Sequence, residues 1–309
     1  MSKLIKQTQV LGLGDNVVDH YLHENIMYPG GNSFNFAAYA KFLGYKSAYL
    51  GVFGDDEAAE LVLNTANTLG IETNFSIFEN GENGRARVFL KDGDRQFLPS
   101  NKGGVSREKP FELNSLSIEY CKKFDLIHSS CFSYCEYILP VLKEQGLKLS
   151  FDFSDVFTND YLEKVCPNLY SAVFSASHLS IEEINMLIEK VSSMGVTLIN
   201  ITRGSDGAYV YYKGNVYRQT ACLVEPIDTM GSGDSFYTTL VCSLIEGMKF
   251  ATDFPENENS AGIVSISEYE DTLIKMSLYK AAVFASQVCM EKGAFGYGKM
   301  PISIIDRVL

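Results

Sequence analysis

A short apolar strand, an apolar-faced helix and a closing glycine recur along this chain. That rhythm restricts it to folds built from crossover units around a mostly parallel sheet. Thr8–Leu13 is the first predicted strand. Ser33–Leu43 follows as a helix whose small Ala37, Ala38 and Ala40 allow close approach to a sheet, and Gly44 stops it. Ser47–Val52 and Glu57–Leu69 repeat the unit, closed by Gly70. The units resume with strands at Phe124–Ser129, Leu147–Phe153, Ala172–Phe174 and Val196–Thr202, and with a helix at Ile181–Met194. Ala208–Tyr212 and Val216–Arg218 flank Gly214-Asn215 and predict a hairpin. Ser235–Ile245 and about Thr272–Cys289 read as the last two helices, with a turn-rich surface excursion over 251–269 between them.

Two stretches break the rhythm. Between Thr73 and Gly104, Phe75–Phe78 and Ala86–Leu90 are strand candidates around the turn signals Asn80-Gly81 and Asn83-Gly84. This insertion is too small for a core of its own and must lean on the main body or on a partner chain. Pro29-Gly30-Gly31-Asn32 reads as a turn. A length of 309 residues, 46% hydrophobic, suits one α/β domain over 1–309, with the segments near 15–32 and 73–104 open to two readings, a small β lid or a plain surface ribbon.

Charge and cysteines narrow the setting. A net charge of -12 argues against a nucleic-acid scaffold, which needs a basic footprint. Seven cysteines, odd in number and irregularly spaced, argue against a disulfide framework and for buried thiols. No long apolar run offers a signal core or membrane span, so a cytoplasmic protein is expected. His20, His23, His128 and His178 lack metal-ligand spacing and are expected to be structural or solvent-facing.

The chemistry concentrates in Asp228-Thr229-Met230-Gly231-Ser232-Gly233-Asp234. A glycine-rich turn feeding a helix presents backbone N–H groups to an anion. Gly231 and Gly233 would let a γ-phosphoryl group reach the amides of Ser232, Gly233 and Asp234, and Asp234 could orient and deprotonate an alcohol. The alternative for Asp234 is an early-helix acid stabilised by the macrodipole. Asp15, Asp19 and Asn32 are compact groups suited to sugar hydroxyls, with Gly30 and Gly31 allowing close approach beside them; an ordinary polar loop is the other reading. Arg85 and Arg87, two apart on a strand, share a face that meets either an anionic part of a substrate or solvent. No Walker loop, protein-kinase signature or full dinucleotide fingerprint occurs.

These motifs resemble the PfkB/ribokinase family of carbohydrate kinases. Gly30-Gly31-Asn32-x-x-Asn35-x-Ala37 is similar to its N-terminal signature, and Asp228-Thr229-x-Gly231-Ser232-Gly233-Asp234-Ser235-Phe236 to its C-terminal one. The resemblance implies a ribokinase-like three-layer sandwich with a β lid that often serves as a homodimer contact. It implies Asp234 as base, Gly231–Asp234 as anion hole, and Asp19, Gly31, Asn32 and Asn35 at the sugar. Thr202, Gly204 and Gly207 would line the nucleotide phosphates, and Ala282, Ala285 and Cys289 the adenine. ATP and Mg²⁺ are implied, with a monovalent cation such as K⁺ near the Asp228 loop. Gly14–Asp19, Tyr28–Asn32 and Phe151–Asp155 look like the subgroup acting on Amadori products, the fructoselysine 6-kinases, with a sugar or sugar–amine conjugate as substrate. Ser175-Ala176-Ser177-His178 stands where many members carry an Asn-x-x-Glu motif that helps organise Mg²⁺.

Overall fold

The computed structural model describes residues 7–91, 94–253 and 265–301. The chain opens with β1 (Gln9–Gly14), β2 (Val17–Tyr21) and β3 (Ile26–Gly30), then α1 (Asn32–Phe42), β4 (Lys46–Phe53) and α2 (Glu57–Leu69). Next come β5 (Ile77–Phe78), β6 (Gly84–Lys91), β7 (Asp94–Leu98), α3 (Val105–Glu108), α4 (Ser115–Cys121) and β8 (Leu126–Ser130). The middle holds α5 (Leu139–Glu144), β9 (Leu149–Asp152), α6 (Asn159–Val165), β10 (Ser171–Ser175), α7 (Ile181–Ser193) and β11 (Leu198–Thr202). The hairpin β12 (Ala208–Tyr212) and β13 (Asn215–Gln219) leads into the long helices α8 (Ser232–Asp253) and α9 (Ile266–Val288).

Among the described residues, nine strands form one sheet in the order β13-β12-β11-β10-β9-β8-β1-β4-β5. All its pairs are parallel except those made by the terminal hairpin. Its inner strands are buried on both faces, so they read as near-continuous apolar runs. Phe174, Ile199 and Ile201 join Leu142, Leu162 and Leu187 on one side. Val173, Leu198 and Val210 meet Phe36 of α1, Leu240 of α8 and Leu278 of α9 on the other. The result is the expected helix–sheet–helix sandwich. Chain order reverses around β1, flanked by β4 and β8, and the crevice beyond the carboxyl ends there is the natural ligand site.

A second sheet, β3-β2-β6-β7, stands over that crevice. Its composition corrects the expected ribbon. Gly84–Lys91 pairs with Asp94–Leu98 and, in parallel, with Val17–Tyr21. Ile77–Phe78 instead extends the edge of the main sheet beside β4. Pro29 and Gly30, expected in a turn, end a strand, because Val17–Tyr21 is available as an antiparallel partner. Asn16 ties the lid to the body. Its Nδ2 donates to the Tyr49 hydroxyl and the Val52 carbonyl, and its Oδ1 accepts from Asn83.

The last two helices are longer than expected. α8 runs through Gly247 because the glycine packs against Leu273 of α9, where a Cβ would lie 2.4 Å from a leucine methyl. α9 begins at Ile266, capped by Ser265 and Glu268 in a capping box. Both ends of the expected excursion are therefore helical, and 254–264 lie outside the described residues. Cys121, Cys135, Cys166 and Cys242 are buried and no cysteine is paired. Among the described residues no helix is long and apolar enough to cross a membrane.

Candidate active site

Asp234 sits in the first turn of α8, at the floor of the crevice. The turn before it depends on Gly231. Its φ is +73°, and a Cβ there would lie 2.1 Å from the Tyr39 hydroxyl, which donates to the Ala294 carbonyl at 2.5 Å. At Gly233 a Cβ would meet nothing within 4 Å, so this residue faces open space. The first i−4 bond of the helix is made by Ser235 to Gly231. The Gly233 and Asp234 amides precede it, at the positive end of the helix dipole.

Both carboxylate oxygens of Asp234 are held by amides from α1. Asn32 Nδ2 donates to Oδ1 at 2.8 Å, and Asn35 Nδ2 donates to Oδ2 at 2.7 Å. The Asn35 Oδ1 is buried and has no protein partner, leaving an acceptor beside the carboxylate. Burial pushes the Asp234 carboxyl well above the usual carboxylate range. The charges of Asp152, Asp15 and Asp19 push the same way, and the Asn35 hydrogen bond opposes them. Asp152, at the end of β9, accepts from Asn32 Nδ2 at 2.8 Å and from the Ser154 amide at 2.6 Å. Its carboxyl is pushed up to about 6, mainly by burial.

Three expected site residues do other work. Asp15 is 3% exposed and already bonded within the protein. Its Oδ2 accepts from the Asn32 amide at 2.5 Å, and its Oδ1 from the Ser33 amide at 3.1 Å and the Ser130 and Ser133 hydroxyls at 2.9 and 2.8 Å. Four protein donors on a buried carboxylate make it a structural acceptor first. Its role is to anchor the N-terminus of α1. Arg85 and Arg87 pair in register with Val18 and His20, whereas Asp19 pairs with Ala86. The arginines therefore lie on the opposite face of the lid from Asp19. They line a separate cavity of about 510 Å³ with Asp56, Glu57 and Glu82, and Arg85 approaches Asp56 and Glu57 at 3.9 and 3.8 Å.

Asp19 is buried on the crevice side, and a Cβ at Gly30 would lie 2.5 Å from its Oδ2. Gly31 packs as closely on the Asp15–Asn16 backbone, where a Cβ would lie 2.8 Å from a carbonyl oxygen. Asn32 and Asn35, as expected, stand in the crevice.

The remaining expected residues share one groove. A cavity of about 610 Å³ runs from Gly231, Ser232, Gly233 and Asp234 past Thr202, Gly204 and Gly207 to Ala282, Ala285 and Cys289. Phosphates would find amides and hydroxyls at one end, and an aromatic base would find small side chains at the other. Among the described residues no group of three His, Cys, Asp or Glu could hold a metal ion. Ser175 and Ser177 line the groove where an acidic ligand was missing from the sequence. A divalent ion carried by nucleotide phosphates and waters fits such a wall. Asp228 is mainly an anchor. Its Oδ2 accepts from Tyr21 (2.5 Å) and the Gly293 amide (3.0 Å), and its Oδ1 from the Met230 amide (2.9 Å). It can offer at most one further oxygen position to a monovalent cation.

The strand-end position marks Asp152 in the sequence as a polar group at the ligand side of the sheet but gives it no role, and nothing local marks Ser130, Ser133, Tyr21 or Tyr39. These four act through partners remote in sequence.

Residues 7–254 match the model of the pfkB family of carbohydrate kinases. The fructosamine kinase FrlD of Bacillus subtilis is 37% identical over 292 residues, covering 94% of each chain. The fructoselysine 6-kinase of Escherichia coli is 27% identical over 76% of this chain and 89% of its own. Among solved structures, a Vibrio cholerae fructokinase double mutant in its fructose-, ADP- and potassium-bound form superposes with a TM-score of 0.70. Coverage is 96% of both chains at 19% identity, which shows a shared fold.

Proposed function

The chain belongs to the pfkB family of carbohydrate kinases, and from that premise we propose that it transfers the γ-phosphoryl group of ATP to the 6-hydroxyl of fructoselysine or a related Amadori product. The observation that carries the reading is the carboxylate of Asp234, clamped by Asn32 and Asn35 at the head of α8 where the nucleotide groove meets the crevice.

In this reading Asp234 is the base. It takes the hydroxyl proton as the sugar oxygen bonds to phosphorus. The bond from phosphorus to the bridging oxygen breaks, and its electron pair leaves with ADP. The Ser232, Gly233 and Asp234 amides, with Gly231 giving room, stabilise the charge on the transferring group. Asp19, Gly30, Gly31 and Asn32 face the sugar, and Asn35 Oδ1 accepts from one of its hydroxyls. Thr202, Gly204 and Gly207 hold phosphates, and Ala282, Ala285 and Cys289 flank the adenine. Mg²⁺, when bound with the nucleotide, neutralises phosphate charge, and K⁺ near Asp228 would add to that field. The lid pairs with the lid of a second copy.

Support for the substrate comes from the similarity to the two relatives above, a fructosamine kinase and a fructoselysine 6-kinase, and from the resemblance of Gly14–Asp19, Tyr28–Asn32 and Phe151–Asp155 to that subgroup. The test is ADP release by purified protein with ATP and fructoselysine, glucoselysine, fructose, ribose or adenosine. Fructoselysine is expected to give the highest kcat/KM, with phosphate on O6. A preference for fructose, ribose or adenosine would overturn the substrate.

A further inference from the structure

Besides Asp234, the carboxamide of Asn32 is bonded by two groups to which the phosphotransfer chemistry gives no part, His128 and Asp152. Its carboxamide oxygen accepts from His128 Nε2 at 2.8 Å, and the two hydrogens of its nitrogen go to Asp152 and Asp234. His128 is buried and its ring is held far below the usual histidine range by burial, at about 3, so it is neutral. The Ser150 hydroxyl meets its Nδ1 in a short contact. The Asn32 oxygen can only accept, so it fixes the proton on Nε2, and Nδ1 then accepts from the Ser150 hydroxyl. The ring is packed between Phe36 and Tyr237, with centroids 4.5 and 5.2 Å away. Ser150 to His128 to Asn32 is thus one directed chain, ending in two carboxylates on one amide.

We infer that His128 and Asp152 are positioning residues, which fix the carboxamide of Asn32 and through it aim the Asp234 carboxylate at the substrate hydroxyl. Without His128 the amide loses the donor that sets its orientation. A flipped amide would turn its oxygen toward Asp234 and Asp152, two more acceptors. Without the Asp152 charge, a neighbour that opposes ionisation of Asp234 disappears. The other titratable groups facing Asp234 are Asp15, Asp19 and Tyr39, besides neutral His128. The inference rests on the reading of Asp234 as the base.

The test uses the full chain with ATP and its best sugar substrate. His128→Leu keeps the ring clamp apolar and removes the donor, and His128→Gln restores an N–H at similar reach. His128→Leu is expected to lose about ten- to hundredfold in kcat, with KM for ATP within about threefold, and His128→Gln to recover most of it. Asp152→Asn is expected to lower kcat and to move the acid limb of the kcat–pH profile to lower pH. Should His128→Leu fail to fold, Asp152→Asn still decides. Wild-type kcat in folded His128→Leu, or wild-type kcat with an unmoved acid limb in Asp152→Asn, would overturn the inference. Asp234→Asn is run in parallel: if it is inactive while the others are unaffected, the positioning role alone fails. If it too is active, the base assignment fails.

Discussion

Asp234 and Asp15 are both strand-end or helix-start carboxylates, yet the fold puts them to opposite uses. Asp15 accepts from four protein donors, two of them serines more than a hundred positions away. Asp234 has one amide on each oxygen and an open groove beside it. Residue type and spacing marked both as site candidates. Only the partners separate them, and no local pattern shows that Ser130 and Ser133 arrive beside β1. The raised pKa of Asp234 gives a residue-scale prediction. A base must be ionised to act, and a carboxyl raised by burial and like charges stays protonated to higher pH than usual. The kcat of the wild-type enzyme should therefore fall as pH falls, with a midpoint above the ordinary carboxylate range near 4. A kcat flat down to pH 4 would contradict it.

At the scale of elements, the start of α8 distinguishes two glycines that look equivalent in the sequence. Gly231 has a left-handed φ and presses on Tyr39, whereas Gly233 is helical and faces the groove. Gly231→Ala should lose about 2–4 kcal/mol of stability, from backbone strain and overpacking. Gly233→Ala should change stability by no more than about 1 kcal/mol, because alanine suits a helix at least as well. Its methyl group would occupy phosphate space and raise KM for ATP. Denaturant midpoints and steady-state kinetics separate the two, and a stable Gly231→Ala would contradict the packing. The strand–helix–glycine units were legible because buried parallel strands and helix stops leave local marks. The lid was only partly legible. Its β2–β6 pairing joins segments more than sixty residues apart, and the alternation that sends Arg85 away from Asp19 depends on that register.

For the whole molecule, the two sheets and the crevice between them follow from the topology around β1. The groove proposed for the nucleotide gathers Thr202, Gly204, Gly207, Ala282, Ala285 and Cys289 because β11 and α9 converge on the head of α8. The lid's outer face leaves Phe89 and Leu98 exposed beside Arg87. A second lid would cover that apolar surface, so light scattering should give twice the 34.3 kDa of one chain. A monomer at micromolar concentration would contradict that contact while leaving the crevice chemistry untouched.

The central claim is that one carboxylate, held by two asparagines over a bed of main-chain amides, receives the proton of the accepting alcohol. Its most direct measurement is kcat of Asp234→Asn beside wild type, with ATP and sugar KM determined together. The substitution keeps the shape of the side chain and removes the base. A loss of at least about a thousandfold in kcat, with both KM values within a few fold, is the predicted result. Turnover within tenfold of wild type would contradict the account.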